Sequence, residues 1–169
     1  MSGPIKTLTL GVISDTHGLL RPAAVEALQG VDHILHAGDV GDPHILEALR
    51  QIAPLTAIRG NVDLSGACAD LPPTEVVELG GLLFYLVHSI DDLDINPEAA
   101  GVAAVVYGHS HRVNIRQDGV LYLNPGSAGP RRFDLPVTLA QIQIVDGILQ
   151  PRIIELLPLP IGECRPRGC

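Results

Sequence analysis

A chain of 169 residues, nearly half of them apolar and 18% charged, is long enough to bury one substantial core and too hydrophobic to be disordered throughout. Eleven basic against nineteen acidic side chains leave a net charge of −8, which argues against non-specific binding to nucleic acid or to an anionic membrane, since both want basic surfaces. A small phosphate substrate stays open, because a bound dication reverses the field locally.

The N-terminal stretch MSGPIKTLTLGVISD has no cationic flank, long apolar stretch or small-residue cleavage site, so it is expected to open a strand and not to be a signal peptide. TLTLGVIS (7–14) alternates apolar and polar positions as a strand does. RPAAVEALQG (21–30) predicts a helix with Pro22 near its start and Gly30 just past its end. HILHAGD (33–39) is a short apolar strand ending in Gly-Asp. DPHILEALR (42–50) predicts a second helix, with Asp42 as N-cap and Pro43 at the first helical position. LTAIRGNVD (55–63) predicts a third strand.

The middle and end of the chain change character. Three pairs of β-rich runs are joined by Gly80-Gly81, Asp118-Gly119 and Asp146-Gly147, each suited to a two-residue hairpin turn. VAAVVYG (102–108) is a further strand between them, and LAQIQIV (139–145) sets Ala140, Ile142 and Ile144 against Gln141 and Gln143 as a half-exposed strand. The only aromatic residues are Phe84, Phe133, Tyr85, Tyr107 and Tyr122, so the core must be aliphatic. The proline-rich stretch 158–169 predicts an irregular, mobile tail. Cys68, Cys164 and Cys169 are odd in number and irregularly spaced, which suggests neither a disulfide framework nor thiolate zinc. With no internal repeat, no linker and no apolar run of bilayer length, the expectation is one soluble, cytoplasmic domain over 1–169. It is an α/β fold in which βαβαβ units and hairpins form two β-sheets packed face to face, with helices outside.

Parallel units favour functional groups in the loops beyond the carboxyl ends of their strands. Asp15 and His17 follow the first strand in SDTHG, Asp39 the second in HAGDV, and Asn61 and Asp63 the third in RGNVD. His88 ends a hairpin strand in FYLVHS, and His109 and His111 follow the next in YGHSH. Any one of these is ordinary turn chemistry; five successive strand ends with the same side-chain chemistry point to a metal centre. Carboxylate, imidazole and amide oxygen without thiolate suit manganese first, with nickel, iron or zinc as alternatives. Even with Asp63 set aside, the remaining seven candidates exceed one tetrahedral centre and suit two divalent ions about 3.5–4 Å apart.

The ordered set Asp-x-His, Gly-Asp, Gly-Asn-x-Asp, His and Gly-His-x-His resembles the calcineurin-like metallophosphoesterase superfamily. HAGD and NPGS resemble its small single-domain bacterial and archaeal phosphodiesterases in particular. The likeness runs from SDTHG to NPGSAGPRR (124–132) and so covers most of the chain. The resemblance implies a four-layer αββα sandwich of two mixed β-sheets flanked by helices. It implies one ion held by Asp15, His17 and His111, a second by Asn61, His88 and His109, and Asp39 bridging them. A hydroxide shared by the ions would attack phosphorus, and Asn61 would also donate its amide N–H to a phosphoryl oxygen. Asp39, Asn61 and His88 would thus carry catalysis in a dinuclear phosphodiesterase acting on a small phosphodiester or nucleotide-like substrate.

Two departures from the family matter. Many members carry a histidine after the Gly-Asn pair that protonates the leaving oxygen; here the position is Val62, so slow turnover and a bias toward good leaving groups are expected. Ser89 stands where many relatives have glycine, and is expected to cap a turn.

Among the remaining polar residues, His36 is either a satisfied core histidine or a partner of a ligand. His33 and His44 have no expected role. Asn124, Gly126 and Ser127 form a Pro-Gly turn on sequence alone, while the resemblance implies that they line the site with Arg131 or Arg132 reaching phosphate. Asp91, Asp92 and Asp94 read as a solvated capping loop that would disfavour polyanionic substrates if it borders the pocket. Exposed hairpin edges offer a route to a homodimer. The competing function is a protein-binding scaffold: the same fold resembles a retromer coat subunit with a degraded metal site. All seven ligand positions here carry competent side chains, which favours the enzyme.

Overall fold

In the computed structural model, which describes residues 3, 4 and 6–157, the alternation within β1 (Thr7–Ile13) sets the layers. Successive strand side chains point to opposite faces. Leu10 and Val12 pack with Leu35, Phe84, Leu86 and Ile142 between two sheets, whereas Ile13 joins Leu28, Ile34 and Leu49 beneath the helices. Both faces are apolar because β1 is the middle strand of its sheet and is covered on each side.

That sheet runs β10 (Ile148–Leu157), β9 (Val137–Val145), β1, β2 (His33–His36), β3 (Leu55–Ala57). β1, β2 and β3 are parallel, separated in sequence by α1 (Pro22–Ala27) and α2 (Pro43–Ile52), while β9 pairs antiparallel with both β1 and β10. After α3 (Gly66–Ala69) the chain forms the second sheet, ordered β4 (Thr74–Leu79), β5 (Leu82–Val87), β6 (Val102–Val106), β8 (Val120–Asn124), β7 (Asn114–Asp118). Here β5, β6 and β8 are parallel and β4 and β7 are antiparallel edges. These are the two mixed sheets of the expected fold.

The turns follow their residues. Gly80, Gly81, Asp146 and Gly147 all have φ between 50° and 78°, the left-handed pair that a type I′ turn requires. In the β7–β8 hairpin Asp118 pairs with Val120, so Gly119 alone separates the strands, a tighter turn than expected. Asp42 caps α2 by accepting from His44 N–H at 2.9 Å, as its sequence predicts.

Several expectations need correction. The strands expected over 33–39, 55–63 and 102–108 stop at His36, Ala57 and Val106. In the first and last of these the chain bends where Gly38 and Asp39 take φ of 98° and 55° and His109 takes 73°. The first helix ends at Ala27, not near Gly30, and the second extends to Ile52. Gln141 is buried, donating to Ala27 O at 2.8 Å, so β9 is not half-exposed: the end of α1 covers its polar face. The outer face of the second sheet, with Tyr85, Val105 and Tyr107, is covered by Ile90, Leu93 and Ile95. These belong to a loop with one 3-10 turn, Ile90–Asp92, in place of the expected outer helix. The expected tail 158–169, with Cys164 and Cys169, lies outside the described residues. Among the described residues no helix is long and apolar enough to cross a membrane.

Candidate metal centre

The ends of β1, β2, β3, β5 and β6 deliver all seven expected ligands to one place. The donor atoms of Asp15, His17 and His111 lie within 4.8 Å of one another, as do those of Asp39, His88 and His109. In the first group Asp15 Oδ1 is 3.4 Å from His111 Nε2 and 3.7 Å from His17 Nε2, and the two imidazole nitrogens are 3.2 Å apart. In the second, Asp39 Oδ2 is 3.2 Å from His88 Nε2; it is also 3.6 Å from His17 Nε2, and so stands between the groups. Asn61 Oδ1 lies 3.0 Å from His88 Nε2 and 3.2 Å from His109 Nδ1.

The hydrogen bonds around these groups leave a defined set of lone pairs. Asp15 Oδ2 accepts from Ser14 Oγ at 2.7 Å and from His109 N–H at 3.1 Å. Its other oxygen, Oδ1, is buried with no hydrogen-bond partner, a costly state unless a cation occupies it. Asp39 Oδ1 accepts from Val62 N–H at 3.0 Å, leaving Oδ2 for the centre. His88 Nδ1–H donates to Ala37 O at 2.8 Å, which fixes the tautomer and points the Nε2 lone pair inward, the usual arrangement behind a metal-bound histidine. This donor set fits two divalent cations.

Backbone conformation sets the directions. Asp15, His17, Asp39, His109 and His111 all have positive φ, from 45° to 73°, and among the described residues only two other non-glycines do. Left-handed geometry costs an L-residue roughly 1–2 kcal/mol, and such strain concentrates where surrounding structure holds it for function. Close approach adds a second constraint: a Cβ at Gly60 would strike the Asp39 carboxylate, and one at Gly108 would strike Ser14 Oγ and the Asp15 carboxylate. Glycine before Asn61 and before His109 therefore makes room for the two carboxylates.

Charge follows. Burial pushes the Asp15 carboxyl upward, but His111, His17 and Ser14 outweigh it and hold the group well below the usual carboxylate range. At Asp39 burial acts in the same direction and His88 and the Val62 N–H overcome it, so this carboxyl is also lowered. Burial pulls His88 down, while Asp39 and the Ala37 carbonyl carry it above its ordinary value. Two anions among imidazoles are what a dication would meet.

A cavity of about 560 Å³ adjoins the second group, lined by Asn61, His88 and His109 together with Arg59, Asp91 and Asp92. The acidic loop thus borders the pocket through Asp91 and Asp92; Asp94 instead accepts from Tyr85 Oη at 3.3 Å. Ser89 accepts from Asp91 N–H and caps the turn, as expected.

The expected substrate contacts beyond Asn61 do not face this cavity. Asn124 Nδ2 donates to Gly108 O and to Ser110 Oγ, each at 3.1 Å, and its Oδ1 accepts the Gly126 N–H. Ser127 Oγ donates to Asp15 O at 2.9 Å, and Arg131 Nη2 to Leu157 O at 3.0 Å. The NPGS turn holds the ligand loops in place. Asp63 is no ligand but a clamp: buried, it accepts from Val40, Gly41 and Gly60 N–H at 2.9–3.1 Å. Its sequence signal, an acid in the Gly-Asn-x-Asp motif, did not distinguish the two roles, and nothing in the sequence marked Arg59.

Residues 8–147 match the family model described as the calcineurin-like phosphoesterase superfamily domain. The chain is 35% identical to a probable metallophosphoesterase of Methanocaldococcus jannaschii, over 89% of this chain and 82% of that one. Its fold is similar to a solved archaeal phosphodiesterase, with TM-score 0.71, 22% identity, and coverage of 87% of this chain and 100% of that one. It is equally similar to vacuolar protein sorting 29 from Cryptosporidium parvum, with TM-score 0.71, 19% identity, and coverage of 88% and 97%.

Proposed function

Because the chain belongs to the calcineurin-like phosphoesterase superfamily, we propose that it is a dinuclear metal-dependent phosphodiesterase acting on a small phosphodiester or nucleotide-like molecule, with manganese as the preferred metal. The observation that carries this is Asp39 Oδ2, 3.2 Å from one group's His88 and 3.6 Å from the other group's His17, within reach of both groups, which supports a bridging role for it. Asp15, His17 and His111 would hold one ion, and His88, His109 and the Asn61 amide oxygen the other. When bound, such a pair supplies the positive charge that ionises water near neutral pH and stabilises the phosphoryl oxygens.

The chain's own side chains do the rest. Ser14 and the His109 N–H hold the Asp15 carboxylate from behind, and the Ala37 carbonyl keeps His88 in one tautomer. Asn61 is exposed toward the cavity, where its amide N–H can reach a phosphoryl oxygen as charge develops. Asp91 and Asp92 on the same cavity repel additional phosphates, which favours a monoanionic diester over a nucleoside triphosphate. The fold likeness to vacuolar protein sorting 29 fits the alternative of a protein-binding scaffold. Seven competent donors, with the buried Asp15 Oδ1 among them lacking any hydrogen-bond partner, favour hydrolysis.

The test strips the protein of metal, restores Mn²⁺, Ni²⁺ or Zn²⁺, and follows hydrolysis of an activated aryl phosphodiester beside the matching monoester and a nucleoside triphosphate. Mn²⁺-dependent diester cleavage faster than the other two supports the proposal. Absence of metal-dependent hydrolysis, or preference for the triphosphate, defeats it.

A further inference from the structure

His36 closes β2, fully buried and outside both ligand groups, yet each of its ring nitrogens is engaged. Gly38 N–H donates to Nδ1 at 3.1 Å. A nitrogen that accepts carries no proton, so a neutral ring has its hydrogen on Nε2. Nε2 lies 3.0 Å from Thr16 Oγ1 and therefore donates to it, and Thr16 turns its own hydrogen to Val40 O at 2.9 Å. Each donor in this run has one acceptor: Gly38 to His36, His36 to Thr16, Thr16 to Val40.

The run connects two ligand loops. Thr16 stands between Asp15 and His17, and Gly38 and Val40 flank Asp39. Backbone bonds from Asp15 N to Gly38 O, from His17 N to Asp39 O and from Gly18 N to Val40 O already hold the two main chains side by side. Between these main chains the fully buried imidazole adds a rigid strut, next to three residues held at positive φ, Asp15, His17 and Asp39. Burial keeps the ring neutral, with its pKa pushed down to about 4, so the strut has a single proton arrangement.

We infer that His36 is a positioning residue which, through Thr16, holds the Asp15–His17 loop and the Asp39 carboxylate at the separation a cation pair needs. This rests on the two-cation reading of the site. Partners of this kind behind metal ligands are commonly worth 10- to 100-fold in metal affinity.

The experiment titrates the full-length, metal-free chain with Mn²⁺ by calorimetry, comparing the parent with Thr16→Val and Thr16→Ser. Valine keeps the shape and removes the hydroxyl; serine keeps the hydroxyl. Thr16→Val should bind Mn²⁺ about 10- to 100-fold more weakly, and Thr16→Ser should bind as the parent does. Nitrogen NMR of His36 in the unaltered chain should show the proton on Nε2, a readout that stands even if Thr16→Val does not fold. Parent-like affinity in a folded Thr16→Val, Thr16→Ser as weak as Thr16→Val, or a proton on Nδ1 would each overturn the inference alone. A parent chain that binds no Mn²⁺ would overturn the two-cation reading and this inference together.

Discussion

Val62 N–H donates to Asp39 Oδ1 at 3.0 Å, and this bond decides which carboxylate oxygen faces His88 and His17. Asp39→Asn tests the consequence cleanly, because asparagine tolerates the left-handed backbone seen here. With Oδ1 still accepting from Val62, the amide would turn its NH₂ toward the proposed cations. An ion lost along with the bridging charge would take several kcal/mol of transition-state stabilisation with it, so the metal-dependent rate should fall by at least about 10³-fold. On the two-cation reading, bound Mn²⁺ per chain should fall from two, with the far-UV circular dichroism unchanged. A variant as active as the parent would remove Asp39 from the mechanism.

The same residue's side chain supports a second prediction. Val62 is 41% exposed and is adjacent to Asn61, yet it cannot move a proton. Val62→His would place an imidazole beside the leaving oxygen while retaining the backbone bond to Asp39. General acid catalysis contributes about 10²–10⁴-fold where the leaving group needs a proton. Turnover of an alkyl phosphodiester should therefore rise by tenfold or more, and that of a nitrophenyl diester should barely change. Equal effects on both substrates would show that protonation of the leaving group is not what limits the parent.

The seven donors that the fold gathers were legible because strand ends repeat the same donor chemistry, a pattern that survives without knowledge of the strands' true lengths. Strand ends themselves were read too far: His36, Ala57 and Val106 end their strands two to six residues early, since left-handed backbone at Asp39 or His109 leaves no trace in apolar pattern. Gln141 read as solvent-facing because alternation reports polarity and not what lies above it; the end of α1 supplies an acceptor. The NPGS segment reads as a tight turn on sequence alone and as part of the site lining only through the family resemblance. Its bonds from Asn124 to Gly108 O and from Ser127 to Asp15 O, which tie it to neighbouring loops, are visible only in the fold.

Asp63 carries the third prediction. Its carboxylate gathers three backbone N–H groups from the loops after β2 and β3. Asp63→Ala leaves those donors without a partner, and bonds to an ionised acceptor are worth about 1.5–3 kcal/mol each before relaxation and water entry recover part of the loss. Metal-free stability should drop by roughly 3 kcal/mol or more, read as a lower urea midpoint at constant slope. Because Gly60 and Val40 adjoin Asn61 and Asp39, Mn²⁺ affinity should fall as well. A change in stability below about 0.5 kcal/mol, the range of ordinary surface substitutions, would mean that water replaces the carboxylate freely.

His36 predicts a pH dependence whose sign is fixed by burial. Its pKa is about 4 in the folded chain against an ordinary 6.5, so between those values the unfolded chain binds a proton that the native chain refuses. Stability from this group is complete above pH 6.5 and is lost on acidification toward pH 4, by about 2 kcal/mol at pH 5. His88, raised by Asp39, acts oppositely, stabilising below its ordinary value and losing that contribution as pH rises through its folded value. Asp15 and Asp39 are lowered, so their contributions disappear only as pH falls below 3.8. Comparing the parent with His36→Gln cancels these other groups. Between pH 7.5 and 5 the metal-free parent should lose about 2 kcal/mol more than the variant in urea unfolding. Parallel losses in the two proteins would show that the ring is already charged, or open to water, in the folded state.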